Sequence, residues 1–282
     1  MSFKKYLQLA KPGIIFGNLI TLTGGFLLAT HRHIGFEHLS LYLYVMIGVA
    51  LMIGSGCVFN NCIDQDIDAE MTRTKNRPLV TGQISTFSAI IYGMILLTAG
   101  SIVLYYLVNP LTLWIILVGF VVYVVVYTIM KRYSVHATLL GGISGAIPPV
   151  AGYTALTSQL DLNALSLFLI LFFWQIPHSY AISIRHMKDY KRVGIPLLVI
   201  VKGLEITKKM ILVYMVLFIL SCALPFIIGT ADIISFIITM FVAIFWLVIS
   251  IKAMNLEDEQ VWSKKVFLTS VWVITVICLS MG

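Results

Sequence analysis

The chain has 282 residues, 60% of them hydrophobic and only 11% charged, with a formal net charge of +7. That balance lies outside soluble globular domains, so a bilayer rather than one central core is expected to take up the apolar surface. The positive charge sits in short polar breaks with no nucleic-acid motif around it, which argues against nucleic acid as a partner and for membrane topology as its cause.

Stretches long enough to cross about 30 Å of hydrocarbon as helix predict spans over 13–30, 41–63, 84–107, 111–130, 137–156, 163–184, 210–230, 233–251 and 266–281. Between Pro78 and Lys131 no Asp, Glu, Lys or Arg occurs before that lysine, too long a run for one crossing, and Asn109-Pro110 is the natural turn within it. The runs are continuous rather than alternating, unlike a membrane barrel. The expected fold class is therefore all-α: a polytopic membrane helical bundle of nine transmembrane helices, one domain over 1–282. Lys4, Lys5 and Lys11 precede the first span, which has no Ala-x-Ala-like exit, so no cleavable signal peptide is expected.

With these spans, every one of the 19 Lys and Arg residues except Arg32 falls on one side, as do all of the 12 acids except Glu37, Asp161 and Asp232. The positive-inside rule makes that side cytoplasmic and puts the N-terminus there, with the C-terminus opposite. Cys57, Cys62, Cys222 and Cys278 fall in or near spans without Cys-x-x-Cys spacing and read as small apolar residues.

At the end of the second span the sequence changes character, in "NNCIDQDIDAEMTRTKNRPL", residues 60–79. If the helix continues through residue 68, Asn60, Asp64 and Asp68 recur every four positions and stack on one face, about 6 Å apart in rise, while Asp66 lies about 200° away. Oxygen-bearing side chains in such a row suit a hard cation such as Mg²⁺, which bridges to phosphate oxygens. A solvated helix end is the alternative, but Asn60 falls inside the span, where polar groups are costly. The run that follows, with Arg73, Lys75 and Arg77, calls for an anion, or else only marks the inner side. Together the two suit a diphosphate held by Mg²⁺ on carboxylates and by Arg and Lys on its remaining oxygens.

A second charged intrusion lies in "WQIPHSYAISIRHMKDYKRVGIP", residues 174–196. At 100° per residue Arg185 and Asp189 each fall within about 20° of His178, so the three share one stripe. Pro177 is placed to kink this helix, and Gly194-Ile195-Pro196 to end it. The alternative for His178 is a buried histidine bonded to a neighbouring helix. "GGISGAIPP" lies inside a span, so a phosphate loop is rejected; Gly141 and Gly145 read as a face for close helix approach.

The N60-x-x-x-D64-x-x-x-D68 motif with "RTKNRPL", then "PHSYAI", "KDY" and "GIP", resembles the UbiA-type intramembrane prenyltransferases. Within them, "KPGIIFGN" (11–18), "SGCVFNN" (55–61), "KRYSVHATLLGGISGAIPPVAGY" (131–153) and "WQIPHSYAI" (174–182) are similar to the subfamily that farnesylates heme. The resemblance runs over most of the chain. It departs from the wider family where a second D-x-x-x-D is common, because Val193 stands four positions after Asp189. That leaves open whether Asp189 binds metal or only orients a water or base.

What the resemblance implies is transfer of the farnesyl group of farnesyl diphosphate to a vinyl carbon of heme B with addition of water. Asp64 and Asp68 would carry Mg²⁺ with Asn60 beside them, and Asp189 would complete the catalytic set. Arg73, Lys75, Arg77, Lys131, Arg185 and Asn18 would hold the diphosphate. His178 would touch heme as an iron ligand or near the vinyl group, with His136 the alternative ligand and His31, His33 and His38 uninvolved. The implied location is the bacterial cytoplasmic membrane, with a terminal oxidase or heme-modifying enzyme as handover partner. The rival readings are a quinone-pathway prenyltransferase of the same family, disfavoured by Val193, and a transporter, disfavoured because the polar residues gather at one rim.

Overall fold

The computed structural model describes residues 3–30, 35–254 and 258–281. Among them are nine helices long and apolar enough to cross a membrane: α2 (Pro12–Ala29), α3 (Phe36–Ile63), α5 (Thr86–Leu107), α6 (Pro110–Met130), α7 (Ala137–Thr157), α8 (Leu162–Arg185), α10 (Leu204–Ile228), α11 (Ile233–Ala253) and α12 (Glu259–Ser280). Shorter helices, α1 (Phe3–Ala10), α4 (Gln65–Glu70), α9 (Met187–Arg192) and the single turn Leu198–Val201, lie at the Lys- and Arg-rich end, and no strand occurs among the described residues. His31 and His33 lie outside the described residues. His38 is 3.7 Å from Glu37 at the opposite end, on α3.

All nine expected spans are present, with ends that differ for physical reasons. The second begins at Phe36 rather than 41, the seventh at Leu204 rather than 210 and the ninth at Glu259 rather than 266. Charged first turns interrupt the apolar run but not the helix. Buried Lys208 reaches Glu205 (3.5 Å) and Glu259 (4.0 Å) and lies 5.7 Å from the centre of the Trp262 ring, while Asp258 caps α12. The Asn109-Pro110 turn is built as expected. Asn109 accepts from the Thr112 amide at 2.8 Å, and Pro110 takes the first helical turn, where a missing N–H costs nothing.

Helices α2, α3, α6, α7 and α8 enclose the working space; α10 and α12 pack on α8 and α11 packs on both of them, with α12 returning to α2. The closest backbone approach joins α2 to the second half of α7. A Cβ added at Gly152 would lie 2.1 Å from the Leu22 carbonyl oxygen, and one at Gly25 would lie 1.8 Å from that of Pro149. This is the small-residue packing that holds helices together where no hydrophobic force acts between them. Gly141 and Gly145 do not form such a contact; they face the Tyr127 ring and the Gln175 amide.

Two spans are irregular beside the cavity. Helix α6 passes through a π-helical segment, Val122–Tyr127, and α7 breaks at Ala146 ahead of Pro148-Pro149. Widened or broken turns of this kind often re-aim side chains at functional sites.

Candidate active site

A cavity of about 460 Å³ opens between these helices, lined by residues from α2, α3, α6, α7 and α8 and from the loop after α4. Its mouth is the Lys- and Arg-rich end. Helix α3 stops at Ile63, one residue before the stripe's central aspartate, so the expected continuous helix through 68 is interrupted. The register nevertheless survives: the Asp64 amide donates to the Asn60 carbonyl (3.0 Å) and that of Asp68 to the Asp64 carbonyl (2.8 Å). Asn60, Asp64 and Asp68 are all buried, at 4%, 4% and 5% exposure, and all three line the cavity.

Cations surround them. Lys11 Nζ donates to Asn60 Oδ1 at 2.8 Å; Lys131 is ion-paired with Asp64 and Arg77 with Asp68. Asn60 Nδ2 donates to Asp64 Oδ2 (2.8 Å) and to Thr128 Oγ1 (3.1 Å), which in turn donates to the Tyr123 carbonyl of the π-helical segment. The irregular turn of α6 thus helps to aim the amide. Arg77 also donates to Asn61 Oδ1 (3.0 Å), whose Nδ2 donates to the Leu9 carbonyl and so fixes α1 beneath the site. Burial pushes the Lys11 ammonium down to about 8 and lowers Lys131 as well, against the raising effect of Asp64.

Asp64 Oδ1 is buried and accepts no hydrogen bond; Arg132 stands 3.8 Å away. A buried carboxylate oxygen left in this state calls for a ligand. Among the described residues no three His, Cys, Asp or Glu side chains converge on a metal position. The donor set here is two carboxylates and an amide, all oxygens, which fits a hard cation that keeps waters or phosphate oxygens as its other ligands. Asp66 stands apart, as its angle predicts. Arg132 grips it with two 2.7 Å bonds and also donates to the Ile63 carbonyl, capping α3; that pairing holds Asp66 at about 2.

Of the other expected ligands, Asn18 and Arg73 line the cavity. Arg73 lies 3.4 Å from the Tyr190 hydroxyl and 5.9 Å from its ring, beside the mouth. Lys75 and Arg185 are exposed and outside the lining: the loop after α4 buries Met71 and Thr74 and leaves Lys75 on the surface, and α8 ends at Arg185. The stripe of His178, Arg185 and Asp189 is not formed: the helix breaks at His186, and Asp189 rides on α9. There it accepts from the Thr72 amide (3.3 Å), 4.0 Å from Arg192, which donates to Thr72 Oγ1 and the Glu70 carbonyl. Desolvation, the largest single influence, raises the Asp189 carboxyl, but these contacts together outweigh it and keep the group below its usual range. Asp189 is outside the lining and ties two mouth loops together.

His178 is also outside the lining. Its Nδ1 is 2.7 Å from Ser270 Oγ on α12, and its ring packs against Trp174 and Phe267. His136 is exposed ahead of α7. The α8 side chains that do reach the cavity are Gln175, Ser179, Ile182 and Ser183.

Lys11, Gln175 and the Tyr123–Tyr127 pair were not read as site residues from the sequence. The two tyrosine rings stack at 5.9 Å, and Lys131 lies 5.7 Å from the second. The sequence signal for Lys11 was a lysine directly before Pro12; it holds a left-handed backbone, φ 53°, which a non-glycine residue adopts at a cost. For Gln175 the signal was an amide in the middle of an apolar span.

The model of the UbiA prenyltransferase family matches residues 18–271. A protoheme IX farnesyltransferase from Francisella tularensis subsp. holarctica is 66% identical to the chain, with the full length of both covered. Among solved structures, a digeranylgeranylglyceryl phosphate synthase superposes with a TM-score of 0.75 at 20% identity, covering 99% of this chain and 96% of that one. A UbiA homologue from Archaeoglobus fulgidus bound to GPP and Mg²⁺ superposes with a TM-score of 0.73 at 17% identity, covering 98% and 99%.

Proposed function

The chain belongs to the UbiA prenyltransferase family and is an integral membrane enzyme, and from that premise we propose that it transfers the farnesyl group of farnesyl diphosphate to a vinyl carbon of heme B, adding water to give heme O and diphosphate. The reading of the acceptor is supported by the full-length likeness to a protoheme IX farnesyltransferase. The observation that carries the chemistry is the buried stripe of Asn60, Asp64 and Asp68 enclosed by Lys11, Arg77 and Lys131.

Asn60, Asp64 and Asp68 are the residues that would hold Mg²⁺, which supplies Lewis-acid neutralisation of the leaving diphosphate. Lys11, Arg73, Arg77 and Lys131 face the same space and bind the diphosphate oxygens. These cations are held in place before substrate arrives, so they stabilise the charge that the diphosphate gains as the allylic C–O bond breaks. Met52, Ile53, Ile116 and Phe120 line the deeper cavity and accept the apolar chain while excluding water from the allylic cation. With the Lys- and Arg-rich end in the cytoplasm, both substrates would enter from that leaflet of a bacterial cytoplasmic membrane.

The test is an assay of the protein in nanodiscs with heme B, farnesyl diphosphate and Mg²⁺, followed by mass spectrometry with and without chelator. The expected outcome is a Mg²⁺-dependent gain of one farnesyl group and one water. Unmodified heme beside an active control overturns the heme reading.

A further inference from the structure

The cavity walls differ in chemistry. Below Asn60 and the Tyr123–Tyr127 pair, the α3 and α6 side presents Met52, Ile53, Ile116 and Phe120, whereas α8 presents Gln175, Ser179 and Ser183 at four-residue spacing, a polar line that descends about 12 Å from the mouth. At its foot, the Gln175 side-chain oxygen Oε1 is buried without a hydrogen-bond partner. A buried amide oxygen left unpaired is destabilising, the more so in a membrane interior.

The surroundings supply acceptors and few donors. The Gln175 amide lies against Gly145, where an added Cβ would fall 2.0 Å from Oε1. Gly145 belongs to the broken segment of α7. Pro149 has no N–H, so it cannot donate to the Gly145 carbonyl four residues earlier, whereas the Ser144 carbonyl accepts from a backbone N–H at the break. The Ser144 hydroxyl donates to the Gly141 carbonyl at 2.9 Å, leaving its oxygen free to accept. A small molecule with two O–H donors and a nucleophilic lone pair matches such a position.

We infer that Gln175 is a positioning residue for the water that ends the reaction. The inference rests on the proposed heme farnesylation. The allylic C–O bond breaks and its electrons leave with diphosphate; the vinyl π pair forms the C–C bond to farnesyl, leaving a cation at the vinyl carbon beside the macrocycle. Water oxygen bonds to that carbon, and its proton passes to the released diphosphate. In the structure Oε1 lies against Gly145 with no surface open to water; a turn of the amide about its broad terminal torsion, which Gly145 has no side chain to block, brings Oε1 to the cavity that Gln175 lines, where it accepts one O–H of this water and turns the water's lone pair towards the cation. Without that hold, the cation loses a proton from the adjacent carbon and gives an alkene lighter by one water.

The experiment measures the ratio of hydrated to dehydrated farnesyl-heme made by the full protein in nanodiscs, for wild type, Gln175→Leu, Gln175→Met and Gln175→Glu. The first two remove the acceptor oxygen, with Met as the flexible replacement should Leu fail to fold; Glu keeps an acceptor of the same shape. The expected result is a shift of tenfold or more towards the dehydrated product in Leu or Met, heme consumption within about fivefold of wild type, and restoration of the hydrated product in Glu. A folded Leu or Met variant with the wild-type ratio overturns the inference alone. Wild-type protein that leaves heme unmodified, or farnesylates it without water, overturns the proposed reaction and the inference together.

Discussion

Lys11 Nζ donates to Asn60 Oδ1 at 2.8 Å, joining residues 49 apart in the sequence across the mouth of the cavity. A lysine in a left-handed backbone, drawn out of water onto an amide, is held ready for an anion. A hydrogen bond to a charged group contributes about 1.5–3 kcal/mol. Lys11→Met is therefore expected to raise KM for farnesyl diphosphate by roughly 10- to 100-fold, with a smaller effect on kcat. Initial rates over a donor series decide this, and an unchanged KM removes Lys11 from diphosphate binding.

Asp64 and Asp68 are buried, and their partners are ionic rather than apolar. Removing either carboxylate should abolish turnover, by roughly a thousandfold or more as for other charge-stabilising groups, with the protein still folded. Chelation of wild type should give the same loss, reversed by added Mg²⁺. Turnover retained in both Asp64→Ala and Asp68→Ala sinks the mechanism.

Asp66 is the control inside the same motif. It is largely exposed and held by Arg132 outside the cavity lining, so its ion pair contributes no more than about 1 kcal/mol. Asp66→Asn is expected to keep kcat/KM within about tenfold of wild type. A loss as deep as that of Asp68→Ala would mean that the face assignment is wrong.

The stripe was legible because four-residue spacing survives the break at Asp64, and the spans were legible because long apolar runs have no other solvent. What escaped the sequence is non-local. Only the following Pro12 marks Lys11 off from Lys4 and Lys5 until α2 and α3 are packed together. The π-helical turn of α6 has no distinguishing composition in "VYVVVY". On α8 both Gln175 and His178 were visible as polar groups in an apolar span, but only packing shows that Ser270 takes the histidine while the cavity takes the amide. Arg77 and Lys75 are two residues apart, and the loop sends one to Asp68 and the other to solvent.

The α2–α7 contact predicts a stability effect without a site residue. A side chain at Gly152 meets the Leu22 backbone, which cannot rotate aside as a side chain would. Gly152→Leu should cost at least the 1–3 kcal/mol typical of overpacking, read as a lowered thermal midpoint in detergent. An unchanged midpoint would show that the two helices separate easily.

Asp189 permits the last separation of roles, between a metal ligand and a loop tie. Its carboxylate accepts from the Thr72 amide and lies outside the cavity lining, whereas Asp68 lies within it. If Asp189 acts by holding the mouth loops, with Arg73 among them, then Asp189→Asn still offers an oxygen to Thr72 and should leave the half-saturating Mg²⁺ concentration unchanged. Asp189→Ala should raise KM for the donor several-fold through misplacement of Arg73, again with unaltered Mg²⁺ dependence. Asp68→Asn, by contrast, should shift the Mg²⁺ requirement upward in whatever activity remains. A Mg²⁺ curve displaced equally by Asp189→Asn and Asp68→Asn would make Asp189 a ligand of the metal, brought to it by closure of these loops over the substrate.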